Sequence, residues 1–302
     1  MSLTCYATFH ESPKGPGDAR RTARRIIEDE GLGNEKLKNK SIFITGASSG
    51  IGVEIAKAIF LIGATLFLKA RHIEKAKQAL GEELTESCRV HLLEIHLDSF
   101  ESVRTYGFET QFGTNQLGHF LLFALLHAAS RGANARAIFV SSLGHRFGNV
   151  NFHDYNVESD DNAYDAWKAY GQSKTANLWT ANEADRRYRS HRLCAFSVHP
   201  GGVIETGLMQ FTSNEWKQQA ITNPVLGPRL KTTEQGAATV VWAALSKSLN
   251  GIGGKYLEEV QIANPWNSED GDWGPGYGSH AYCPDKEREL WELSLKLVGF
   301  KG

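Results

Sequence analysis

The chain has 302 residues, with 33 Lys and Arg side chains against 34 Asp and Glu, which gives a formal net charge of -1 at pH 7. That length can form one large α/β domain or two small ones, and it can bury a sizeable core. The balanced charge provides neither a basic surface for nucleic acid nor an acidic tail, so we expect a small-molecule partner and no nucleic acid.

Neither a targeting segment nor a membrane span is predicted. The N-terminus contains acidic residues and lacks a charged cap followed by an apolar core, which argues against a signal or transit peptide. The most apolar stretches, Ile55 to Leu68 and His119 to Ala129, are too short or too interrupted to cross a bilayer. The four cysteines lie far apart without a C-x-x-C pair, so we expect no zinc site and no disulfide framework. These features favour a cytoplasmic protein without a metal, and they are compatible with a homo-oligomer.

The predicted elements alternate between strands and helices after a polar N-terminal extension of residues 1–39. The strands are Ser41–Thr45, Thr65–Lys69, Val90–His96, Ala137–Ser141 and Cys194–His199, and the helices are Ala19–Glu30, Ile51–Leu61, Ile73–Leu80, Asn115–Ala129, Ala169–Tyr188, Thr232–Leu245 and one behind Pro284. This alternation predicts a three-layer α/β/α fold of the Rossmann type, with a doubly wound parallel sheet in a single domain over residues 40–302. A less regular stretch over residues 203–231 is the candidate substrate lid.

A glycine-rich turn follows the first predicted strand. Its spacing is G-x-x-x-G-x-G, and the helix behind it offers free N–H groups to a pyrophosphate. The candidate dinucleotide-binding residues of the turn are Gly46, Ser48, Ser49, Gly50, Ile51 and Gly52. The same stretch also matches G-x-S-x-G, the nucleophile turn of α/β-hydrolases, so a hydrolase using Ser48 is an alternative. Against it, such a serine normally follows several strands, and Gly52 would be left unexplained.

The end of the second predicted strand indicates which dinucleotide binds. An Asp or Glu at this place would accept a hydrogen bond from the 2′-hydroxyl of NAD, whereas a basic group would pair with the 2′-phosphate of NADP. The sequence has Lys69 and Arg71 here and no acid. NADP(H) is therefore favoured over NAD(H), although Arg71 could also be a surface charge at the start of a helix.

A serine, a tyrosine and a lysine form the candidate catalytic group. Ser142 follows a predicted strand, and Tyr170 precedes Lys174 by four residues, which places both on one helix face. A free phenol has a pKa of about 10, and a nearby ammonium lowers that pKa by stabilising the phenolate. Tyr170 could then act as general acid or base while Ser142 holds the substrate oxygen.

A second pair, Tyr164 and Lys168, has the same spacing. We prefer Tyr170 because Gly171 and Ser173 leave room for a cofactor, whereas Trp167 would crowd the other pair. Among the histidines, His119 and His145 are expected to be hydrogen-bonded structural residues rather than bases.

These motifs together resemble the short-chain dehydrogenase/reductase family. The residues that carry the resemblance are Thr45-Gly46, Gly50, Gly52, Asn115, Ser142, Tyr170, Lys174 and His199-Pro200-Gly201-Gly202. Three stretches are similar to its retinol-dehydrogenase-like branch, which is common in filamentous fungi, namely Phe112 to Phe120, Ser141 to His145 and Ala281 to Pro284. The resemblance extends from about Gly17 to the C-terminus. It implies an oxidoreductase that interconverts an alcohol and a carbonyl, with secondary metabolism as an analogy; Lys69 and Arg71 favour NADP(H), and Leu208, Met209, Phe211 and Trp216 favour a small lipophilic substrate.

The resemblance also implies roles for single residues. Asn115 would maintain a water-linked proton relay to Lys174, which also binds the nicotinamide ribose. Further cofactor contacts are expected from Asp98 at the adenine, from Pro200 and Gly201, and from Val203 and Thr206 at the nicotinamide end. As alternatives, Asn115 and Asp98 could cap helices, and residues 200–202 could form only a turn.

The chain departs from the family pattern after its third predicted strand. The family has a helix, a fourth strand and a loop before the Asn115 helix, but only residues 99–111 lie between Asp98 and Phe112. A crossover needs at least about 10–12 residues and a strand about 5 more, so both cannot fit. We therefore predict a sheet that lacks or rearranges one central strand. A mis-joined reading frame, a shortened enzyme with a repaired sheet, and an inactive relative that binds nucleotide are the explanations left open.

Overall fold

The computed structural model describes residues 2–33, 35–97, 107–127, 134–157 and 164–300. These residues form two compact units. The first comprises Met1–His96, Pro200–Ser248 and Glu259–Gln261, and the second comprises Leu97–His199, Leu249–Glu258 and Ile262–Gly302. The boundaries expected from the sequence, an extension over 1–39 and one domain over 40–302, stay a prediction.

The described elements follow the predicted alternation. The strands are β1 (Ser41–Thr45), β2 (Thr65–Ala70), β3 (Val90–Glu94), β4 (Ala135–Val140), β5 (Leu193–Val198), β6 (Lys255–Glu258) and β7 (Gln261–Ile262). The α-helices are α1 (Ala23–Asp29), α2 (Ile51–Phe60), α3 (Ile73–Leu80), α4 (Glu82–Thr85), α5 (Gly118–Leu126), α6 (Ala166–Tyr188), α7 (Asn214–Thr222), α8 (Thr233–Leu245) and α9 (Pro284–Leu297). The region predicted to be irregular, residues 203–231, therefore contains α7.

The first unit is built on a parallel sheet in the order β1-β2-β3. Leu66 and Leu68 on one face of the central strand are fully buried, and Lys69 on the opposite face is 6% exposed, as expected for a strand covered on both faces. Helices α1 and α2 both pack on α8. The predicted capping box begins α8: the Gln235 N–H donates to the Thr232 hydroxyl, and the Gln235 side chain accepts from the Thr232 N–H.

The second unit contains the sheet β4-β5-β6-β7, in which β4 and β6 pair parallel to β5. Its longest helix, α6, packs on β4, β5 and α9. Aromatic rings fill the core, with Phe120 edge-on to Trp291 at 4.9 Å between ring centroids. This packing fixes one face of α6 inside the unit and places the beginning of that helix beside the end of β4.

The expected parallel α/β architecture is confirmed, with two differences. Residues Phe112–Leu117 form a π-helix before α5, in place of the α-helical turns that were expected. The described strands form two sheets, and within the described ranges β1 pairs with β2 alone. This arrangement agrees with the shortage of residues after β3, although residues 98–106 lie outside the described ranges. No helix of the described ranges combines the length and apolar character needed to cross a bilayer.

Candidate active site

The side chains of Ser142 and Tyr170 lie close together in the second unit, since a Cβ at Gly144 would lie 2.9 Å from Tyr170 Cε1 and 3.3 Å from Ser142 Oγ. Ser142 follows β4 and caps the 3₁₀ turn Leu143–Phe147, and its Oγ accepts from the Gly144 N–H at 3.0 Å. Tyr170 lies near the beginning of α6. Burial raises the pKa of Tyr170, and the nearby Ser142 hydroxyl lowers it by less. The structure thus brings together two of the residues predicted to be catalytic.

Lys174 lies one helical turn after Tyr170. Its Nζ is 5.3 Å from the centroid of the Tyr170 ring and donates to the Val140 carbonyl at 3.2 Å. Burial lowers the pKa of Lys174 to about 8. The sequence led us to expect that Lys174 would lower the pKa of Tyr170, but that pKa is raised, because burial of the phenol outweighs every stabilising contact.

Asn115 occupies the π-helix that precedes α5. Its Nδ2 donates to Gln111 Oε1 at 3.0 Å and to Ser173 Oγ at 3.1 Å, and Ser173 donates to the Tyr170 carbonyl at 2.8 Å. Asn115 is therefore attached to α6 beside Lys174, while its role in a water-linked relay stays a prediction. Sequence reasoning missed Gln111 and missed Ser173 as a partner of Asn115, since only the three-dimensional packing brings these side chains together.

The competing pair, Tyr164 and Lys168, does not share a helix face, because α6 begins after Asp165, its N-cap residue. The Tyr164 hydroxyl donates to Glu109 at 3.0 Å, and burial and this carboxylate raise the pKa of Tyr164 to about 12. Trp167 is 51% exposed, so crowding by this ring is not what separates the two pairs. The geometry supports the choice of Tyr170 for a different reason from the one expected.

Gly171 is required by packing rather than by room for a cofactor. A Cβ at this position would lie 2.6 Å from the Gly148 nitrogen and 2.8 Å from the Gly144 carbonyl oxygen, both in the turn that follows Ser142. Ser173, which was expected to leave space as well, is buried and hydrogen-bonded. The glycine therefore allows this turn to lie directly on α6, which fixes Ser142 against Tyr170.

Two histidines near this group have structural roles, as expected. His145 is fully buried, and burial lowers its pKa to about 4, so the ring is neutral at physiological pH. Its Nδ1 lies 2.6 Å from the Ser142 carbonyl, and its Nε2 accepts from the Gly278 N–H at 2.9 Å. His119 is held by the Thr114 carbonyl, 2.9 Å from its Nδ1.

The glycine turn lies in the first unit, between β1 and α2. Gly46 has a φ of 73° and Gly50, the N-cap of α2, a φ of 57°, a backbone region that favours glycine. A Cβ at Gly52 would lie 2.2 Å from the Gly46 carbonyl oxygen, so only glycine fits there. No side chain caps α2 in the described unit, which leaves the N–H groups of Ile51 and Gly52 suited to an anion.

The residues around this turn occupy different environments. A Cβ at Gly50 would lie 3.3 Å from Thr206 Cγ2, and one at Gly207 would lie 3.6 Å from Ser49 Oγ, so two stretches of the first unit meet at the turn. Val203 is buried against Gly236, since a Cβ at Gly236 would lie 2.8 Å from Val203 Cγ2. A nicotinamide contact of Val203, like those of Pro200 and Gly201, stays a prediction. Asp98, expected at the adenine, lies outside the described residues.

The two cations at the end of β2 differ in exposure. Lys69 is only 6% exposed, and its carbonyl accepts from the Ala47 N–H of the glycine turn at 3.3 Å. Arg71 lies on the surface, just after β2. Arg71 is therefore the better placed of the two for a phosphate arriving from solvent. In the described part of the chain, Ser48 has no hydrogen bond to a histidine or a carboxylate, the partners that a hydrolase nucleophile needs.

Comparison with known proteins identifies relatives over nearly the whole chain. A family model described as short chain dehydrogenase matches residues 40–107. A short-chain dehydrogenase/reductase of Penicillium rubens is 38% identical over 97% of this chain and 94% of that protein. Mouse retinol dehydrogenase 12 is 30% identical over 89% of each chain. The first alignment has 328 positions, so at least 26 of them have no counterpart among the 302 residues of this chain.

The fold is also similar to solved structures. A crystal structure of a protein from Mycobacterium paratuberculosis matches with a TM-score of 0.66 and 27% identity, covering 93% of this chain and 98% of that chain.

Proposed function

The chain belongs to the short-chain dehydrogenase/reductase family and is of the retinol-dehydrogenase-like type, and we propose that it interconverts an alcohol and a carbonyl group on a small lipophilic substrate with NADP(H). One observation supports this proposal above the others. The side chains of Ser142 and Tyr170 lie together beside Gly144, where the Ser142 hydroxyl lowers the pKa of the Tyr170 phenol, and the half-buried Lys174 is one helical turn away.

In this proposal Tyr170 exchanges a proton with the substrate oxygen. The raised pKa of Tyr170 keeps the phenol protonated near neutral pH, which suits it to act as the acid when a carbonyl is reduced. Ser142 supplies a second hydroxyl for the same oxygen and stabilises the charge that develops there. Asn115 donates to Ser173 of α6 and so helps to hold in place the helix that carries Tyr170 and Lys174.

The first unit is suited to bind the dinucleotide, which supplies the hydride when bound. The turn at Gly50 and Gly52 lets the backbone come close to a pyrophosphate, and the N-terminus of α2 directs N–H groups to it. A preference for NADP(H) rests on the exposed guanidinium of Arg71, which can pair with a 2′-phosphate. Thr206, beside Gly50, is the proposed contact of the carboxamide end.

A lipophilic substrate is supported by the composition of residues 203–231. Leu208, Ile221 and Val225 are each at least 44% exposed, and a lipophilic substrate could cover these aliphatic side chains. A role in secondary metabolism rests on the resemblance to the fungal branch alone.

A nucleotide-binding protein without turnover is the second candidate. It is favoured by the pairing of β1 with β2 alone in the described ranges and by the length deficit relative to the Penicillium protein. Titration with NADPH and NADH, followed by an NADPH-oxidation assay with a panel of lipophilic ketones, separates the two. Tighter binding of NADPH together with ketone-dependent oxidation supports the enzyme. Binding without oxidation of NADPH by any ketone supports the second candidate.

A further inference from the structure

The turn that carries Ser142 also anchors a distant loop of the second unit, residues 264–278, here called the aromatic loop. The His145 ring links the two directly: its Nδ1–H donates to the Ser142 carbonyl, and its Nε2 accepts from the Gly278 N–H at 2.9 Å. The next residue, Arg146, lies with its guanidinium 4.9 Å from the centroid of the Trp266 ring and donates to the Asp272 carbonyl. Two consecutive side chains thus attach the loop to the candidate active site.

The aromatic loop has a defined conformation of its own. The Trp266 N–H donates to the Tyr277 carbonyl at 2.9 Å, and the Tyr277 N–H donates to the Asn264 carbonyl at 3.0 Å, which closes the base of the loop. The Trp266 indole donates to the Gly271 carbonyl at 3.0 Å across its interior. Beside Tyr277 at the same base, the Gly276 N–H donates to the buried carboxylate of Glu258 on β6. These bonds fix the positions of the side chains that the loop presents.

The loop presents an aromatic ring to the end of the catalytic turn. Trp273 lies 6.3 Å from Phe147 between ring centroids at an interplanar angle of 60°, and Phe147 is 41% exposed. Phe147 ends the 3₁₀ turn and follows Ser142 by five positions, which corresponds to a backbone rise of about 10 Å. That spacing suits a fused bicyclic ring whose carbonyl group reaches Ser142. Exposed aromatic rings at such a place commonly mark a binding surface.

We propose that Phe147 and Trp273 form an aromatic wall that selects substrates in which the reacting carbonyl is attached to a planar ring system, and that His145 is the positioning residue that fixes this wall relative to Ser142. This inference rests on the proposed function and adds a substrate class to it. The wall acts on the ring of the substrate, whereas Ser142 and Tyr170 act on its oxygen, so binding and proton transfer can be measured separately.

The first experiment compares two methyl ketones with the same reacting group, 2-acetylnaphthalene and acetylcyclohexane. Their dissociation constants are measured by calorimetry for the wild-type protein and for the variants Phe147→Leu and Trp273→Leu. Phe152→Leu is the control, because the Phe152 ring packs on Trp179 and not on the wall. We expect the naphthyl ketone to bind the wild-type protein more tightly. The first two variants should weaken its binding about fivefold and leave acetylcyclohexane within about twofold, because an aromatic contact contributes about 0.5–1.5 kcal/mol.

The second experiment separates the two hydrogen bonds of His145. His145→Asn retains a donor near the Nδ1 position for Ser142 but loses the acceptor for Gly278, whereas His145→Gln retains an acceptor near the Nε2 position. We expect His145→Asn to lose the preference for the naphthyl ketone and His145→Gln to retain it. Where turnover occurs, KM for the naphthyl ketone should rise in His145→Asn with little change in kcat.

Equal weakening of both ketones by the wall variants, or a wild-type protein without preference for the naphthyl ketone, overturns the proposal. The leucine variants decide this even if a substitution at the buried His145 prevents folding. A wild-type protein that binds the naphthyl ketone preferentially but never oxidises NADPH supports the wall and refutes the proposed catalytic function. The two failures are therefore distinguishable.

Discussion

The ammonium of Lys174 lies 5.3 Å from the centroid of the Tyr170 ring but donates its hydrogen bond to the Val140 carbonyl. The Ser142 hydroxyl lowers the pKa of this phenol, but burial has the larger effect and keeps that pKa above the usual value. With this raised pKa Tyr170 keeps its proton near neutral pH, while the nearby Lys174 Nζ donates to a backbone carbonyl. In the proposed function this protonated phenol serves as the acid that reduction of a carbonyl requires.

Replacing Tyr170 by Phe should remove the proton donor and little else. We expect kcat/KM for ketone reduction to fall by about 10²–10⁴-fold, the usual contribution of a positioned general acid, with NADPH affinity unchanged. NADPH oxidation at 340 nm and a fluorescence titration with NADPH measure the two quantities.

The control for this variant is Tyr164→Phe. The Tyr164 hydroxyl donates to Glu109 and precedes α6, so its loss should change kcat/KM by no more than about twofold. If Tyr164→Phe abolished turnover and Tyr170→Phe did not, the wrong pair would have been assigned.

The activity should depend on the charge of Lys174. Burial lowers the pKa of this ammonium to about 8, so it is protonated below that pH and loses its charge above it. If the cation is required, kcat/KM for reduction falls as the pH rises through about 8. A pH profile from 6 to 10 tests this expectation.

Lys174→Arg supplies the matched comparison for the pH profile. A guanidinium stays charged throughout this range, so the decline near pH 8 should disappear even if the overall rate is lower. An identical decline in both proteins would assign the titration to another group.

The elements that could be predicted are those determined by local pattern. The strand Ser41–Thr45 and the capping box at Thr232 agree with the structure, because short apolar runs and cap residues act through neighbours in sequence. The contact of Gly171 with Gly148 could not be predicted, since it joins residues of different elements. The π-helix at Asn115 has no sequence signature of its own. The bond between His145 and Gly278 could not be predicted either, because 133 residues separate them in the sequence.

Arg71 should determine the preference between the two coenzymes. We expect Arg71→Ala to weaken NADPH binding about tenfold and to leave NADH binding within about twofold, because only NADPH carries the 2′-phosphate. Lys75→Ala, which removes an exposed cation from the following helix, is the control. Fluorescence titrations with both coenzymes measure the difference, and equal losses for NADPH and NADH would show that Arg71 does not contact the phosphate.

The buried His145 should make the protein less stable in acid. Its folded pKa of about 4 lies below the ordinary value of 6.5, so between these two pH values the unfolded chain binds a proton that the folded chain does not. The contribution of the neutral His145 to the free energy of unfolding is fully present above pH 6.5 and is lost as the pH falls toward 4. From pH 7 to pH 5 the loss amounts to about 2 kcal/mol, at about 1.36 kcal/mol for each unit of pKa difference.

His145→Gln removes this titration while other acid-sensitive groups, such as His280, remain. Urea denaturation of both proteins at pH 7 and pH 5 should therefore show a smaller loss of unfolding free energy in the variant, by about 2 kcal/mol. The variant also loses the donor to Ser142 and should be less stable than the wild type at pH 7. The bond from the Gly278 N–H requires an unprotonated Nε2, so the folded protein should keep His145 neutral at pH 5. Equal losses of unfolding free energy in the two proteins would contradict this assignment, because they would mean that His145 is protonated in the folded state at pH 5.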